Sequence, residues 1–375
     1  MCVAADRLFE MGFAQQLRDI TRNMPASKQS MLFSATMPKL LVEFARAGLN
    51  DPTLIRLDNE ANVSENLRIS FLTTRTTDKV SDRIPAPLFT HPLFTPAFYL
   101  QDAVLLYLLR EVLPHATTNS DTPLTIIFAA TRHHVDYLAA LLNATSLPCV
   151  PIYGAMDPLA RKSNLHAFRT GKIPILVVTD VAARGLDVPL IDHVIHHAFP
   201  PDPKLYIHRS GRAARAGRIG YAFALIEPDE LPFMVDLHLF LSRKLTTSET
   251  TDGDGKPATV KYTLQEQTPD HVHFGSVPEG VITDEVENVR RILDNESGNL
   301  NSDNMPSLYK TANNAAKQYK RSRPEPSGEG RRRAKVRKCV LKQASTRMFL
   351  TPSPGDSEGH KRHAAAPPPD LHRGR

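Results

Sequence analysis

Between residues 102 and 241, short apolar runs alternate with segments whose apolar side chains recur every three or four positions. The runs at 124–128, 149–152, 173–178, 193–195 and 221–226 predict buried strands, and 104–113, 134–142, 158–168 and 203–209 predict helices. Strands separated by helices of this length form βαβ units. The expected fold class is therefore α/β, a mainly parallel sheet with right-handed crossovers covering both faces.

The flanks are less regular. Leu8, Phe9, Met11, Phe13, Leu17 and Ile20 keep helical spacing, 29–34 reads as a short buried strand, and Pro38 opens a second helical segment. Residues 66–74 read as an extended linker containing a strand at 69–72. Pro85, Pro87, Pro92 and Pro96 then interrupt 79–101, a density that excludes a helix or a central strand. A structureless loop of that length inside a compact domain is unusual. After Leu245 the pattern weakens, with 246–255 rich in Thr, Asp and Gly and one further helix expected at 280–295. From Pro306 onward Arg, Lys, Ser and Pro dominate, the composition of a chain that stays disordered.

The 375 residues are 41% hydrophobic, enough for one or two cores. No apolar run reaches the roughly eighteen residues of a membrane-spanning helix. The N-terminal Met1-Cys2-Val3-Ala4-Ala5-Asp6 lacks the basic and apolar regions of a secretory leader. Cys2, Cys149 and Cys339 stand far apart, which argues against a disulfide framework or a zinc site and fits a reducing compartment. The net charge of +6 conceals a division: 306–375 holds 17 Lys and Arg against 5 Asp and Glu, so the preceding chain is net acidic. A basic segment suits a polyanion, because neutralising phosphates releases counterions. The same composition describes a merely solvated tail, and charge alone does not choose between the two.

Two segments carry chemistry. Thr179-Asp180-Val181-Ala182-Ala183-Arg184-Gly185-Leu186-Asp187 follows the apolar run 175–178, beyond a strand's carboxyl end, where open α/β sheets bind ligands. It offers a hydroxyl, carboxylates, a guanidinium and a glycine, although an ordinary loop with a helix N-cap at Asp180 has the same look. His208-Arg209-Ser210-Gly211-Arg212-Ala213-Ala214-Arg215-Ala216-Gly217-Arg218 sets four arginines among small residues. Arg212 and Arg215 are three apart and on a helical turn would project from one face. Planar guanidinium forks suit a transferring phosphoryl group. The plain alternative is a solvated basic helix end.

Together the two segments resemble motifs V and VI of the DEAD-box family of ATP-dependent RNA helicases, T-D-x-A-A-R-G-L-D and H-R-x-G-R-x-x-R. Ser34-Ala35-Thr36 is similar to the family's S-A-T, Ile127-Phe128 with Thr131 to motif IV, and Arg161 to the Arg of Q-x-x-R, with Pro158 at the Gln position. The resemblance runs from residue 3 to about 242 and narrows, through 153–162, 212–215, 236–241 and 315–324, to a Dbp10-like, nucleolar branch. It implies a second RecA-like lobe facing a first across a cleft. Arg212 and Arg215 would meet the ATP γ-phosphate, and Gly185 and Asp187 would lie against the ribose. Gly154, Arg161 and Thr179 would hold the RNA backbone, while Asp6, Ser34, Thr36, Arg184 and His208 would couple the two events. ATP with Mg2+, pre-ribosomal RNA, pre-ribosomal particle proteins, a nuclear and nucleolar location, and work on the large ribosomal subunit follow as expectations. No membrane association, obligate oligomer or metal ligand is expected.

The chain also departs from that pattern. It contains no G-x-x-x-x-G-K-[ST], the loop that cradles phosphates. The position of D-E-A-D is held by Val3-Ala4-Ala5-Asp6, so only the last of its carboxylates is present. The match begins abruptly at Asp6-Arg7-Leu8-Phe9, which reads as a truncated first lobe, and 79–101 has the Phe, Leu, Pro and Ser bias of a translated intron. The expected organisation is a first-lobe remnant at 1–65, a linker with a Pro-rich insertion at 66–101, a second lobe at 102–245, a weakly structured extension at 246–305 and a basic disordered tail at 306–375. Two functions follow: an RNA-remodelling ATPase, inactive as this polypeptide, or a non-catalytic RNA-binding assembly protein using the second lobe and tail.

Overall fold

In a computed structural model, the structure describes residues 2–3, 13–25, 27–33, 44, 53, 55, 63–73, 96–113, 123–183, 188, 190–215, 217–241, 243–246, 259–263, 267–277, 279–294, 304–343 and 347–351. The chain divides into two units, Met1–Asn62 and Val63–Arg375. In the first, β1 (Cys2–Val3) pairs in parallel with β2 (Leu32–Phe33), and α1 (Ala14–Arg22) lies between them in sequence. Phe44 packs there with Ala14, Leu17 and Leu32.

The second unit is built on one sheet whose strands all pair in parallel. Its central members are β3 (Leu67–Thr73), β4 (Thr125–Phe128), β5 (Cys149–Ile152), β6 (Ile175–Val178), β7 (His193–His196) and β8 (Gly220–Ile226), in the spatial order β3-β8-β7-β4-β6-β5. The runs Thr125-Ile126-Ile127-Phe128 and Ile175-Leu176-Val177-Val178 are buried throughout, as a strand covered on both faces requires. The crossovers are α2 (Pro96–Tyr107), α3 (Arg132–Ala144), α4 (Pro158–Arg169), the single turn α5 (Asp180–Ala183), α6 (Pro203–Ser210) and α7 (Leu231–Leu241). Asp157 and Asp202 cap α4 and α6 by accepting bonds from Ala160 N and Lys204 N, each 2.9 Å, ahead of a proline in the first turn. The α/β expectation and its strand positions hold across this region.

Three stretches differ from their sequence reading. First, β3 is not a linker. It sits between β8 and a later strand, β11 (His271–Ser276), with Phe71 fully buried and packed edge-on against Phe199 and Tyr206. The strand expected at 69–72 is thus part of a longer one, with Leu67, Ile69 and Phe71 on one face and Arg68, Ser70 and Leu72 on the other. Second, Pro96 opens α2, where a missing N–H costs nothing, and Tyr99, Leu100 and Gln101 are buried; the end of the Pro-rich stretch thus belongs to the core. Pro85, Pro87 and Pro92 lie outside the described residues. A turn of π-helix, Leu108–Val112, completes α2. Third, from residue 244 onward the sheet continues through β9 (Lys244–Thr246), β10 (Thr259–Thr263), β11 and β12 (Arg347–Thr351), and three helices follow β11: α8 (Glu279–Leu293), α9 (Met305–Ser322) and α10 (Gly328–Gln343).

The last two helices lie in the stretch whose bulk composition predicts disorder. Composition averages over a face that periodicity resolves: Met305, Tyr309, Ala312 and Ala315 recur at helical spacing and are buried. Tyr309 meets Tyr137 of α3 edge-on at 5.5 Å. At the other end of α9, Lys320 reaches Glu227 at 2.6 Å and Asp229 at 3.2 Å, while Arg323 bonds Glu230 at 3.0 Å and lies over the Phe233 ring. Ser327 then donates to Asp236 from both its backbone N, at 2.8 Å, and its hydroxyl, at 2.5 Å, and accepts from Gly330 N, joining α10 to α7. No described helix is long and apolar enough to cross a membrane.

Burial and the charge of Glu227 push the Glu230 carboxyl well above its usual range, against the pull of Arg323; Asp229 adds to the push. A carboxyl raised on folding stabilises fully below its unfolded value and loses that contribution as pH rises through the folded one. Urea melts of the chain are therefore expected to show stability falling between pH 4.5 and about 8, and Glu230→Gln to flatten that slope. Phe71→Ala is expected to cost about 3–5 kcal/mol in the same melts, as for a core aromatic; a linker position would leave the midpoint unmoved.

Candidate functional site

The sheet's carboxyl edge gathers the predicted residues around two turns. After β6 the chain passes Thr179 and closes into α5, where the amides of Ala182 and Ala183 donate back to Thr179 O at 3.1 and 2.9 Å. Arg161, from α4, donates to Ala182 O at 3.1 Å. Gly154, after β5, is exposed, and a Cβ built on it would touch Val181 at 3.8 Å. The three residues assigned to the RNA backbone, Gly154, Arg161 and Thr179, are thus brought together on one turn.

The second turn follows α6. Its inner face is Tyr206, Arg209 and Ser210, all buried, while His208 on the other side is exposed. His196 of β7 stacks on Tyr206 at 4.4 Å and on Phe128 at 6.0 Å, and its Nε2 meets Ser210 Oγ at 2.9 Å. Burial, and then the charge of Arg209, hold His196 far below the usual imidazole value, so it is neutral.

Arg209 connects the two turns. Its Nε and Nη2 donate to the two carboxylate oxygens of Asp180 at 2.6 and 2.7 Å, and its Nη1 donates to Ala198 O at 2.7 Å. The guanidinium also lies 5.1 Å from the Phe128 ring centroid. With the Arg209 side chain 1% exposed and that of Asp180 24%, this is a desolvated, bidentate pair. The sequence had offered Asp180 as an N-cap and Arg209 as one arginine among four. The available signal was register: Tyr206, Arg209 and Ser210 share a helix face.

Arg212 and Arg215 do not project from a common helical turn, contrary to their three-residue spacing. The helix ends at Ser210, Ala213 bridges to Ile191, and Ala214 takes a left-handed φ of 55°. Ala213 and Ala214 are pinned there because β8 begins against them at Gly220, where any Cβ would collide with the Ala214 backbone. Arg215 folds back, its Nε donating to Gly211 O at 2.6 Å. Arg212 is half-buried, and burial, followed by the charge of Arg215, lowers its pKa. Among the described residues neither arginine is paired with a carboxylate. Each guanidinium thus lies within the field of the other, with no acid paired to either among the described residues.

Asp6, Ser34, Thr36, Arg184, Gly185 and Asp187 lie outside the described residues, so the coupling and ribose assignments rest on sequence alone. Nor does the D-E-A-D position suit magnesium: Val3 and Ala4 have no side-chain oxygen, and among the described residues no three acidic, His or Cys side chains cluster to hold a metal.

Residues 104–217 match the helicase conserved C-terminal domain. The ATP-dependent RNA helicase DDX54 of Mus musculus is 44% identical over 331 residues, which are 88% of this chain and 33% of that protein. The ATP-dependent RNA helicase dbp10 of Schizosaccharomyces pombe is 37% identical over 354 residues, with 88% and 38% covered. The chain thus spans about a third of the length of these relatives. Among solved structures, Saccharomyces cerevisiae Dbp5 bound to RNA and ADP BeF3 superposes with a TM-score of 0.52 at 19% identity, over 77% of this chain and 61% of that one, so the fold is RecA-like.

Removing one partner of a buried ion pair strands the other. Arg209→Ala is expected to cost about 3–5 kcal/mol in urea melts. A double-mutant cycle with Asp180→Ala should return a coupling of at least about 1 kcal/mol, and additive single effects would refute the link.

Proposed function

We propose that this chain, which belongs to the DEAD-box family of ATP-dependent RNA helicases, supplies the lobe-two half of an RNA-remodelling ATPase site. The observation that carries the reading is the turn bearing Arg212 and Arg215, neither paired with a carboxylate among the described residues, tied through Arg209 and Asp180 to the turn of Thr179 against which Arg161 is bonded. A γ-phosphate placed against Arg212 and Arg215 relieves their repulsion, and the charge that spreads over a transferring phosphoryl group strengthens the contact in the transition state. Arg215, the more exposed of the two, is the arginine finger. Thr179, Gly154 and Arg161 bind RNA by its sugar–phosphate backbone, so binding is indifferent to base sequence. Gly185 and Asp187 face the ribose, and Asp6, Ser34, Thr36, Arg184 and His208 transmit closure.

Further parts of the reading rest on the kinship with the Dbp10 type. The substrate is pre-ribosomal RNA of the large subunit, handled with particle proteins in the nucleolus, and ATP enters with Mg2+ held by groups other than Val3 and Ala4. A second reading is favoured by one sequence observation, the lack of a phosphate loop within these 375 residues: the polypeptide by itself binds RNA without turning over ATP.

Both readings meet in one pair of assays on the purified chain. RNA-stimulated phosphate release is expected to stay at background, because positioning and electrostatics from a phosphate loop are missing; release above background would refute the second reading. Arg161→Ala with Thr179→Ala is expected to weaken RNA binding roughly tenfold in fluorescence anisotropy, equally for unrelated sequences, the loss of about one to two backbone contacts. Unchanged affinity would refute the RNA assignment of that turn.

A further inference from the structure

Helix α9 is docked along one side only. Met305, Tyr309, Ala312 and Ala315 face the lobe, and on the opposite side Lys310, Asn314, Lys317 and Arg321 are all exposed. Their spacing of i, i+4, i+7 and i+11 keeps them in one stripe about 16 Å long. Among the described residues none of its three cations is paired with a carboxylate. Several neighbouring cations are paired: Lys320 and Arg323 engage Glu227, Asp229 and Glu230, Arg331 engages Glu325, and Arg332 and Arg333 engage Glu329. The fold therefore separates cations that hold the extension in place from cations that are left facing outward.

We infer that this stripe is a second RNA-contact surface, rigidly mounted on the lobe, that binds the phosphate backbone of the same RNA. The inference rests on the RNA reading of the Thr179 turn. A membrane surface does not suit it, since such a helix needs an exposed apolar face and that of α9 is already buried against α3. RNA suits it by position. Tyr319, on the docked side of the helix, lines a cavity with Ala198, whose carbonyl accepts from Arg209, so the C-terminal end of α9, where Arg321 sits on the outer side, packs close to the Arg209–Asp180 pair. Two lysines, an arginine and an amide form bonds to phosphate and sugar oxygens without reading bases. Because the helix is fixed before RNA arrives, contact with it requires no ordering of a disordered tail.

The test uses the whole chain and a fluorescein-labelled RNA duplex with a single-stranded extension, titrated at several salt concentrations. Lys310→Gln/Lys317→Gln/Arg321→Gln is expected to weaken binding at least about tenfold and to reduce the slope of log affinity against log salt by about 2. Arg331→Gln/Arg332→Gln/Arg333→Gln removes the same charge from paired positions and is expected to change affinity less than about threefold. Lys310→Arg/Lys317→Arg/Arg321→Lys should retain binding, which separates loss of contact from loss of fold. The inference is overturned if the stripe variant binds as the parent does, or if the two neutralised variants weaken alike. Should Arg161→Ala weaken binding while the stripe variant does not, only the stripe falls; should the parent chain bind no RNA, both readings fall.

Discussion

The contact on which the site depends is the bidentate bond between Arg209 and Asp180. Asp180 opens the turn after β6, and Arg209 lies on the buried face of α6, so one pair of charges fixes two loops that the sheet alone would leave independent. Burial makes the pair expensive to form and more expensive to break, because either partner alone would be a desolvated charge. The aromatic floor of Phe128, His196 and Tyr206 leaves the guanidinium one way to point. A shift of α6 therefore moves the Thr179 turn with it, so the two turns respond as one body.

The extension reaches the same place from the other side. Residues 305–335 dock by an apolar helix face and an acidic cluster on and before α7, and Tyr319 ends near the Arg209–Asp180 pair. Helix α9 is thus a wall of the lobe rather than an appendage to it. The crowding of Glu227, Asp229 and Glu230 is tolerated because Lys320 and Arg323 stand among them.

Much of this was legible in the sequence, and the parts that were not share a physical reason. The strands β4 to β8 announced themselves as apolar runs, and the motifs singled out Thr179 and Arg161, which the fold places around one turn. What failed were inferences from averages or from spacing without conformation. A basic composition hid the stripe of Tyr309 and Ala312; a count of prolines hid that Pro96 stands at a helix start; and the i, i+3 spacing of Arg212 and Arg215 lost its meaning because Gly211 ends the helix between them and Ser210. The Arg209–Asp180 bond, spanning 29 positions, has no local signature at all.

The arginine turn carries one more consequence. Ala214 is held in a left-handed conformation by the start of β8, and this holds Arg212 and Arg215 near each other whether or not an anion is present. Arg212 is thereby partly desolvated in the folded lobe, with the charge of Arg215 adding to the penalty, a burial cost that the unfolded chain does not carry. Any phosphate that fits between the two guanidiniums binds the native form alone, and by mass action it must raise the lobe's stability as it binds. Linkage runs both ways, so whatever loosens this turn also loosens its hold on phosphate. On the proposed reading, phosphate occupancy and the integrity of the lobe would be two faces of one equilibrium, and that coupling would exist even in a polypeptide that never completes a catalytic cycle.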